Sequence, residues 1–229
     1  MLVFTHIPRT GGTTLRAILS KYLEKPLYID SLSDFAFMND ENLNSHTFIA
    51  THCGYGIFSR IIVPPKKLVI LRDPVERIVS QYYYLRGLEE NVSYSSYYAK
   101  TLSLEQFVKN ENPAVWVGIR NTQTWHLIED KNIHFRNKYK GMSDEKLLEI
   151  ATDHLARYDF VGFTDRLPSV LDQIAIEYGW KRVSENLPLM RSSERPNTTD
   201  ICESIRASVR DKVRLDLLLY RRAEQLYKI

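Results

Sequence analysis

The chain opens with an apolar run at residues 2–7, which leads through Gly11 and Gly12 into a helical pattern. Apolar residues then recur at spacings of three and four, which is typical of one buried helix face: Leu15, Ile18, Leu19, Tyr22 and Leu23. A strand, a tight glycine turn and a helix together open an α/β unit. The opening therefore predicts a sheet whose strands are joined by helices.

Three further apolar runs have the length of buried strands: Phe48–Thr51, residues 68–71 and Phe160–Phe163. Runs this short, bounded by polar or turn residues, suit the strands of a parallel sheet that is covered on both faces. We find no linker, internal repeat or low-complexity tract. The sequence predicts an α/β fold, a three-layer sandwich with a central parallel sheet, in one domain of residues 1–229.

Two helix starts are visible in the sequence. After the run at 68–71, Asp73 is a good N-cap, Pro74 suits the first helical position and Glu76 completes a capping-box-like pattern. A similar start at Asp200 predicts a C-terminal helix that ends at about Tyr227. The first of these helix starts directly follows a predicted strand, which supports the alternating strand and helix order.

The composition excludes several classes of protein. With 31 Lys and Arg against 28 Asp and Glu, the net charge of +3 does not suggest a general nucleic-acid binder. No stretch approaches the roughly 18 apolar residues of a membrane span, and residues 1–20 do not form a secretory leader. Cys53 and Cys202 have no metal-ligand spacing, so we expect two buried thiols, no metal site and a cytoplasmic protein.

Several polar residues follow the predicted strands directly. In an open parallel sheet, ligands bind outside the carboxyl ends of the strands, where these residues come together. The first strand leads into His6 and the glycine turn, the second into His52, the third into Arg72, and the last into Thr164 and Asp165. The sequence therefore predicts a functional site at this edge of the sheet.

The glycine turn is a candidate anion site. Residues 9–14 have glycines that allow a tight turn and lead into a helix N-terminus, whose free N–H groups favour phosphate or sulfate. The turn lacks the lysine of the nucleotide-triphosphate signature and has Arg9 ahead of the glycines instead. A purely structural turn remains an alternative. His6 precedes the turn and is expected to support it from below.

The third strand and the second supply further candidates. Arg72 can bind phosphate with two parallel hydrogen bonds, and Ser80 lies two turns along the following helix. An ion pair of Arg72 with Asp73 or Glu76 is the structural alternative. A neutral His52 can accept a proton from a hydroxyl near neutral pH, which makes it a candidate general base.

Together these segments resemble the carbohydrate sulfotransferases related to heparan sulfate 2-O-sulfotransferase. Residues 6–15, His-Ile-Pro-Arg-Thr-Gly-Gly-Thr-Thr-Leu, are similar to the family's first signature, and residues 72–83 match its second, R-D-P-x-x-R-x-x-S-x-Y-Y. Weaker similarity covers residues 121–127, 158–165 and 189–193. The resemblance implies a P-loop-like sulfotransferase fold and transfer of a sulfuryl group to a carbohydrate hydroxyl.

The resemblance also implies the donor and the residues that hold it. The donor would be 3′-phosphoadenosine 5′-phosphosulfate, with Arg72 and Ser80 on its 3′-phosphate and Arg191 and Ser192 in a loop that closes over the nucleotide. The 5′-phosphosulfate would lie on the first turn: Arg9, Thr10, Gly11, Gly12, Thr13 and Thr14. His52 would be the catalytic base. The family's loop lysine is Arg9 here, so its role in catalysis should be electrostatic rather than proton donation.

The acceptor is less well indicated. Tyrosines cluster between residues 82 and 98, and Trp116, Arg120 and Trp125 follow. Aromatic faces suit sugar rings, but the helical tyrosines also suit a core. Two other functions stay open from the sequence: a P-loop-type kinase, and a non-catalytic module that binds nucleotide or glycan. Magnesium-independent activity would argue against the first, and turnover against the second.

Overall fold

The structure is a computed structural model, and it describes residues 1–89, 93–129, 137–181 and 200–227. Within these ranges five strands alternate with helices: β1 (Leu2–Thr5), β2 (Pro26–Ile29), β3 (Phe48–Thr51), β4 (Lys66–Leu71) and β5 (Phe160–Phe163). They form a parallel sheet in the order β2-β3-β1-β4-β5. The predicted α/β architecture with a central parallel sheet is confirmed.

The helices within these ranges are mostly short. They are α1 (Gly12–Leu19), α2 (Leu32–Phe37), α3 (Asp40–Asn44), α4 (Pro74–Arg86), α5 (Tyr94–Thr101), α6 (Leu104–Lys109), α7 (Pro113–Trp116), α8 (Thr122–Ile128), α9 (Asp144–Leu155), α10 (Leu167–Tyr178), α11 (Glu203–Lys212) and α12 (Arg214–Leu226). Two 3₁₀ turns lie at Gly54–Arg60 and Thr164–Arg166. None of the described helices is long and apolar enough to span a membrane.

Helices cover both faces of the sheet, as the alternating side chains of β4 illustrate. Leu68 and Ile70 pack with residues of α1 and α10 on one face. Val69 and Leu71 pack with residues of α8, α9 and α12 on the other. All four side chains are buried, and each contributes about 1.5–3 kcal/mol to the stability of the fold.

A separate helical block lies beyond this sandwich. Helices α4, α5, α6 and α11 pack on one another through a second apolar cluster that includes Ile78, Phe107 and Val209. The block fixes the outer side of α4. The N-terminal end of α4 follows β4 directly and therefore lies at the carboxyl edge of the sheet.

The sequence missed strand β2 at the edge of the sheet. It begins at a proline, which cannot donate a ladder hydrogen bond, and of its residues Ile29 alone is buried. An apolar pattern is therefore nearly absent from it. Because β2 pairs with β3, its end at Ile29 brings Asp30 to the same edge as His52.

The prediction of one C-terminal helix from Asp200 to Tyr227 was wrong. Helix α11 is preceded by Cys202 at its N-cap, and the helix breaks at Val213. Val213 packs in the helical block, whereas Leu215 and Leu219 pack against the sheet. The backbone of Val213, with φ −119° and ψ 28°, departs from helical geometry and separates the two helices. Cys202 itself is exposed, so only Cys53 fulfils the expectation of buried thiols.

Candidate active site

The turn between β1 and α1 ends in a helix start that has no side-chain cap. Gly11 occupies the N-cap position with φ 89°, and among the described residues no side chain accepts a hydrogen bond there and no acidic residue lies in the first turn. The first N–H groups of a helix have no partner within the helix and carry partial positive charge. This turn therefore offers backbone donors to an anion.

The next residue, Gly12, packs directly against the ring of His6. A Cβ atom at Gly12 would lie 2.0 Å from atoms of the His6 ring, so no larger residue fits without moving that ring. His6 is buried, 5% exposed, and its ring contacts the rings of Phe4 and His52 at centroid distances of 5.2 and 4.3 Å. His6 thus lies under the turn, as the sequence predicted.

The side chains of the three threonines around the glycines differ. The Thr10 hydroxyl is buried and donates to the Ile7 carbonyl, so this side chain stabilises the turn. Thr13 is exposed, whereas Thr14 is buried. Directly after β5, the Thr164 hydroxyl donates to the carbonyls of Thr10 and Leu71 at 2.8 and 3.2 Å, which links the turn to the end of β4.

The second turn, between β4 and α4, meets the first. The Arg9 guanidinium donates through Nε to Ser80 Oγ at 3.3 Å. Arg72 Nη1 donates to the carbonyl oxygen of Arg9 at 3.0 Å. The two motifs therefore share one surface at the edge of the sheet, although 71 residues separate Arg9 from Ser80.

The two arginines have further partners. Arg72 forms an ion pair with Glu76 at 3.1 Å, which is the pairing that the sequence left open as a structural alternative. Arg9 lies over the ring of Tyr84, 4.2 Å from its centroid, and its backbone is left-handed with φ 71°. Burial lowers the pKa of Arg9, and the charge of Arg72 adds to this effect, while Tyr84 opposes it. Two cations held this close favour an anionic ligand.

His52 lies next to the first turn, with its side chain 21% exposed. Its Nδ1 is 2.5 Å from the carbonyl oxygen of His6. A carbonyl can only accept, so the neutral ring carries its proton on Nδ1 and has its lone pair on Nε2. Nε2 lies 3.7 Å from an Asp30 carboxylate oxygen, which is also paired with Arg16 at 2.8 Å.

A cleft of about 530 Å³ opens beside the second turn. Its lining combines three carboxylates, three arginines, two aliphatic side chains and one aromatic ring: Asp73, Val75, Glu76, Arg206, Arg210, Leu217, Tyr220, Arg221 and Glu224. Arg206 and Arg210 both pair with Glu203. Burial raises the pKa of Tyr220, so this phenol stays neutral.

The family follows from a match over nearly the whole chain. A model of the sulfotransferase family matches residues 1–228. The chain belongs to the sulfotransferase family. A comparison with curated proteins found no match. As a member of this family, the protein is a transferase of sulfuryl groups that acts on an acceptor substrate, and the family generally takes its sulfuryl group from 3′-phosphoadenosine 5′-phosphosulfate.

The structure of this sulfotransferase brings together most of the site residues predicted from sequence. The first turn, Arg72, Ser80 and His52 adjoin one another at the edge of the sheet. Arg191 and Ser192 lie outside the described residues. The described ranges contain no group of three or more His, Cys, Asp and Glu side chains with the geometry to hold a metal ion.

Sequence reasoning missed two polar residues near the site. Asp30 follows β2, and because that strand was not predicted, Asp30 could not be placed at the edge. Gln123 forms two hydrogen bonds with the backbone of Arg72. The available signal for Gln123 was its place in the segment 121–127, whose weaker family resemblance gave no role for individual residues.

Proposed function

We propose that this sulfotransferase moves a sulfuryl group from 3′-phosphoadenosine 5′-phosphosulfate to a hydroxyl of a carbohydrate, and that it is related to heparan sulfate 2-O-sulfotransferase. The proposal is carried by the contact between the two turns, Arg9 with Ser80 and Arg72 with the Arg9 carbonyl. A donor with an anionic group at each end of one nucleoside needs two adjacent anion sites of this kind.

The residues present fit the charges of this donor. At the first turn, the start of α1 has no side-chain cap and no acidic residue, so its first backbone N–H groups can donate to an anion. We assign the 5′-phosphosulfate to this turn: Arg9, Thr10, Gly11, Gly12, Thr13 and Thr14. We assign the 3′-phosphate to Arg72 and Ser80, and closure over the nucleotide to Arg191 and Ser192.

His52 is proposed as the general base. Its Nε2 takes the proton of the acceptor hydroxyl while that oxygen forms a bond to sulfur and the bond from sulfur to the phosphate oxygen breaks. The products are the sulfated acceptor, protonated His52 and 3′-phosphoadenosine 5′-phosphate. The hydrogen bond from Nδ1 to His6 supports this role because it leaves Nε2 as the basic nitrogen, and Asp30 nearby favours the imidazolium.

Arg9 contributes charge rather than a proton. A guanidinium stays protonated in proteins, so Arg9 stabilises negative charge on the sulfuryl and leaving oxygens. Its contacts with Ser80 and Tyr84 hold the cation between the two turns. Removal of one such preorganised donor costs about 3–4 kcal/mol in other enzymes.

The contacts of the carbohydrate acceptor are assigned from the exposure of the tyrosine rings. Tyr82 is buried and hydrogen-bonded to Leu102, so it belongs to the core. Tyr94 and Tyr97 are 78% and 58% exposed, and their faces suit a sugar ring. We propose these exposed rings, rather than the helical tyrosines of α4, as contacts of the acceptor.

Calorimetry and turnover together test the proposed function. The wild-type protein should bind 3′-phosphoadenosine 5′-phosphate more tightly than adenosine 5′-monophosphate, and R72A should lose this preference. H52A should lower transfer by about 10²–10⁴-fold, because a general base contributes that much, while nucleotide affinity stays within a few-fold. H46A, at a histidine that hydrogen-bonds the Lys25 carbonyl, is the matched control. Retained turnover in H52A would refute the base.

The kinase and the non-catalytic module are not favoured. The first turn has Thr13, not the lysine of the nucleotide-triphosphate signature, after its glycines, and the family is one of sulfuryl transfer. Sulfuryl transfer that proceeds in the presence of a magnesium chelator would exclude the kinase. Donor binding without turnover on any hydroxylated acceptor would instead favour the module.

A further inference from the structure

We propose that Gln123 is a positioning residue that fixes Arg72 for binding the 3′-phosphate, and this inference rests on the proposed function. The Gln123 side-chain amide forms two hydrogen bonds with one residue. Its Nε2 donates to the Arg72 carbonyl at 2.8 Å, and its Oε1 accepts from the Arg72 N–H at 2.9 Å. Gln123 is 1% exposed, so these bonds are shielded from water.

Gln123 contacts Arg72 at the point where the chain leaves the sheet. Strand β4 ends at Leu71, whose own partner in β5 is Phe163, and Arg72 is the next residue. The Gln123 amide pairs with the N–H and the carbonyl of Arg72 as a neighbouring strand would, since a primary amide offers the same donor and acceptor as a peptide group. The backbone of Arg72 is thereby held while its guanidinium reaches the site.

Gln123 is itself fixed by a buried carboxylate. Asp216 of α12 accepts hydrogen bonds from the backbone N–H groups of Gln123 and Thr124 at 3.1 and 2.8 Å, and from the Thr124 hydroxyl at 2.7 Å. Asp216 is fully buried, and its carboxylate lies at the N-terminus of α8, where the helix dipole favours negative charge. A distant helix therefore supplies the cap of α8.

Helix α4 also contacts the segment that precedes α8. Arg77 of α4 is fully buried and donates through Nη2 to the carbonyls of Gly118 and Ile119, at 3.0 and 3.2 Å. Asn121 at the start of α8 has φ 49° and accepts from the backbone N–H groups of Leu215 and Asp216. The segment that carries Gln123 is thus held from α4 on one side and α12 on the other.

Binding measurements on two variants test the inference. Q123M keeps the size of the side chain and removes both hydrogen bonds, while Q123E keeps an acceptor and places a carboxylate oxygen against the Arg72 carbonyl. Each should lower the preference for 3′-phosphoadenosine 5′-phosphate over adenosine 5′-monophosphate by about tenfold, from the loss of one to two hydrogen bonds. Affinity for the 5′-monophosphate should stay within twofold, because that ligand does not use Arg72.

The control is Q106E in α6. Gln106 Oε1 accepts a backbone N–H, that of Ser103, at 3.0 Å on the exposed surface. Q106E should keep the wild-type preference between the two nucleotides. In an R72A background, Q123M should cause no further loss of that preference, since both changes act on the same contact.

The outcomes separate this inference from the proposed function. If the wild-type protein shows no preference for 3′-phosphoadenosine 5′-phosphate, or if R72A keeps the wild-type preference, the proposed function fails. If wild type and R72A differ as expected but Q123M and Q123E keep the wild-type preference, the inference fails. An equal loss for both nucleotides, together with a lower melting temperature, would show a structural role only and would also overturn it. Should Q123M not fold, Q123E decides by the same criteria.

Discussion

The two turns at the edge of the sheet are built in opposite ways. The first leaves the start of α1 without a side-chain cap, and Gly11 takes the left-handed φ of 89° at its N-cap. The second closes the start of α4 with its own residues, because the Asp73 carboxylate accepts from the N–H of Glu76 at 2.8 Å and Pro74 has no N–H. The first turn can therefore bind an anion through its backbone, whereas the second must use side chains.

This difference shows how the same local unit, strand, turn and helix, can serve two ends of one ligand. A backbone site depends on the shape of the turn. A substitution there changes binding because added atoms clash with neighbours or alter the backbone conformation. A side-chain site depends on where Arg72 and Ser80 point, and this depends on residues elsewhere. The two turns should accordingly respond to different substitutions.

The largest effect is expected at Gly12. In G12A the new Cβ would meet the His6 ring at 2.0 Å, so the ring and the turn above it must move. Overpacking of this kind costs about 1–3 kcal/mol of stability. Because the displaced ring also contacts His52, we expect transfer to be nearly abolished and binding of both nucleotides to be weakened. Calorimetry and turnover assays measure these effects.

A glycine outside the site provides the control. In G87A, at the end of α4, the nearest atoms would be 3.6 Å or more from the added Cβ, which is ordinary contact. G87A should bind and turn over like wild type. A fully active G12A would mean that the first turn does not bind through its backbone, and the contrast between the two turns would fail.

A smaller effect is expected at Asp73. D73A removes the cap of α4 and should lower the free energy of unfolding by about 1 kcal/mol. For a chain of this size the melting temperature should fall by about 2–4 °C. D73S, which keeps an acceptor for the Glu76 N–H, should recover most of the loss. Should D73A melt like wild type, the start of α4 would depend on Pro74 and not on the carboxylate.

The smallest effect is expected at His154, where α9 contacts α8. His154 Nδ1 lies 2.7 Å from the Leu127 carbonyl in α8, and burial lowers the pKa of this histidine. The folded protein thus binds a proton less readily than the unfolded chain, whose histidine pKa is about 6.5. Stability should therefore fall as the pH drops below about 6.5.

Melting curves at pH 7.5 and pH 5.5 measure this contribution. H154Q removes the titrating group and keeps an N–H donor, so the decline between the two pH values should be smaller than in wild type. H46Q serves as the control. If H154Q declines as steeply as wild type, other groups account for the acid sensitivity and α8 does not depend on this histidine.

Much of this arrangement could be predicted from residues that are close in sequence. The glycine turn, the support from His6 and the cap at Asp73 each follow from short patterns, and strands β1, β3, β4 and β5 were predicted to within a few residues. Strand β2 could not be predicted because an edge strand with one buried side chain has no apolar pattern. The break at Val213 was hidden because the apolar spacing continues through it.

The sequence by itself determined the turns, because turn geometry and capping depend on neighbouring residues and on the chemistry of each side chain. The tertiary structure alone decided which side chains of these turns contact one another. The contact of Arg9 with Ser80, the amide of Gln123 on Arg72 and the approach of Asp30 to His52 span 71, 51 and 22 residues. The order of the strands and the packing of α8 and α12 bring such residues together, and no local pattern encodes either.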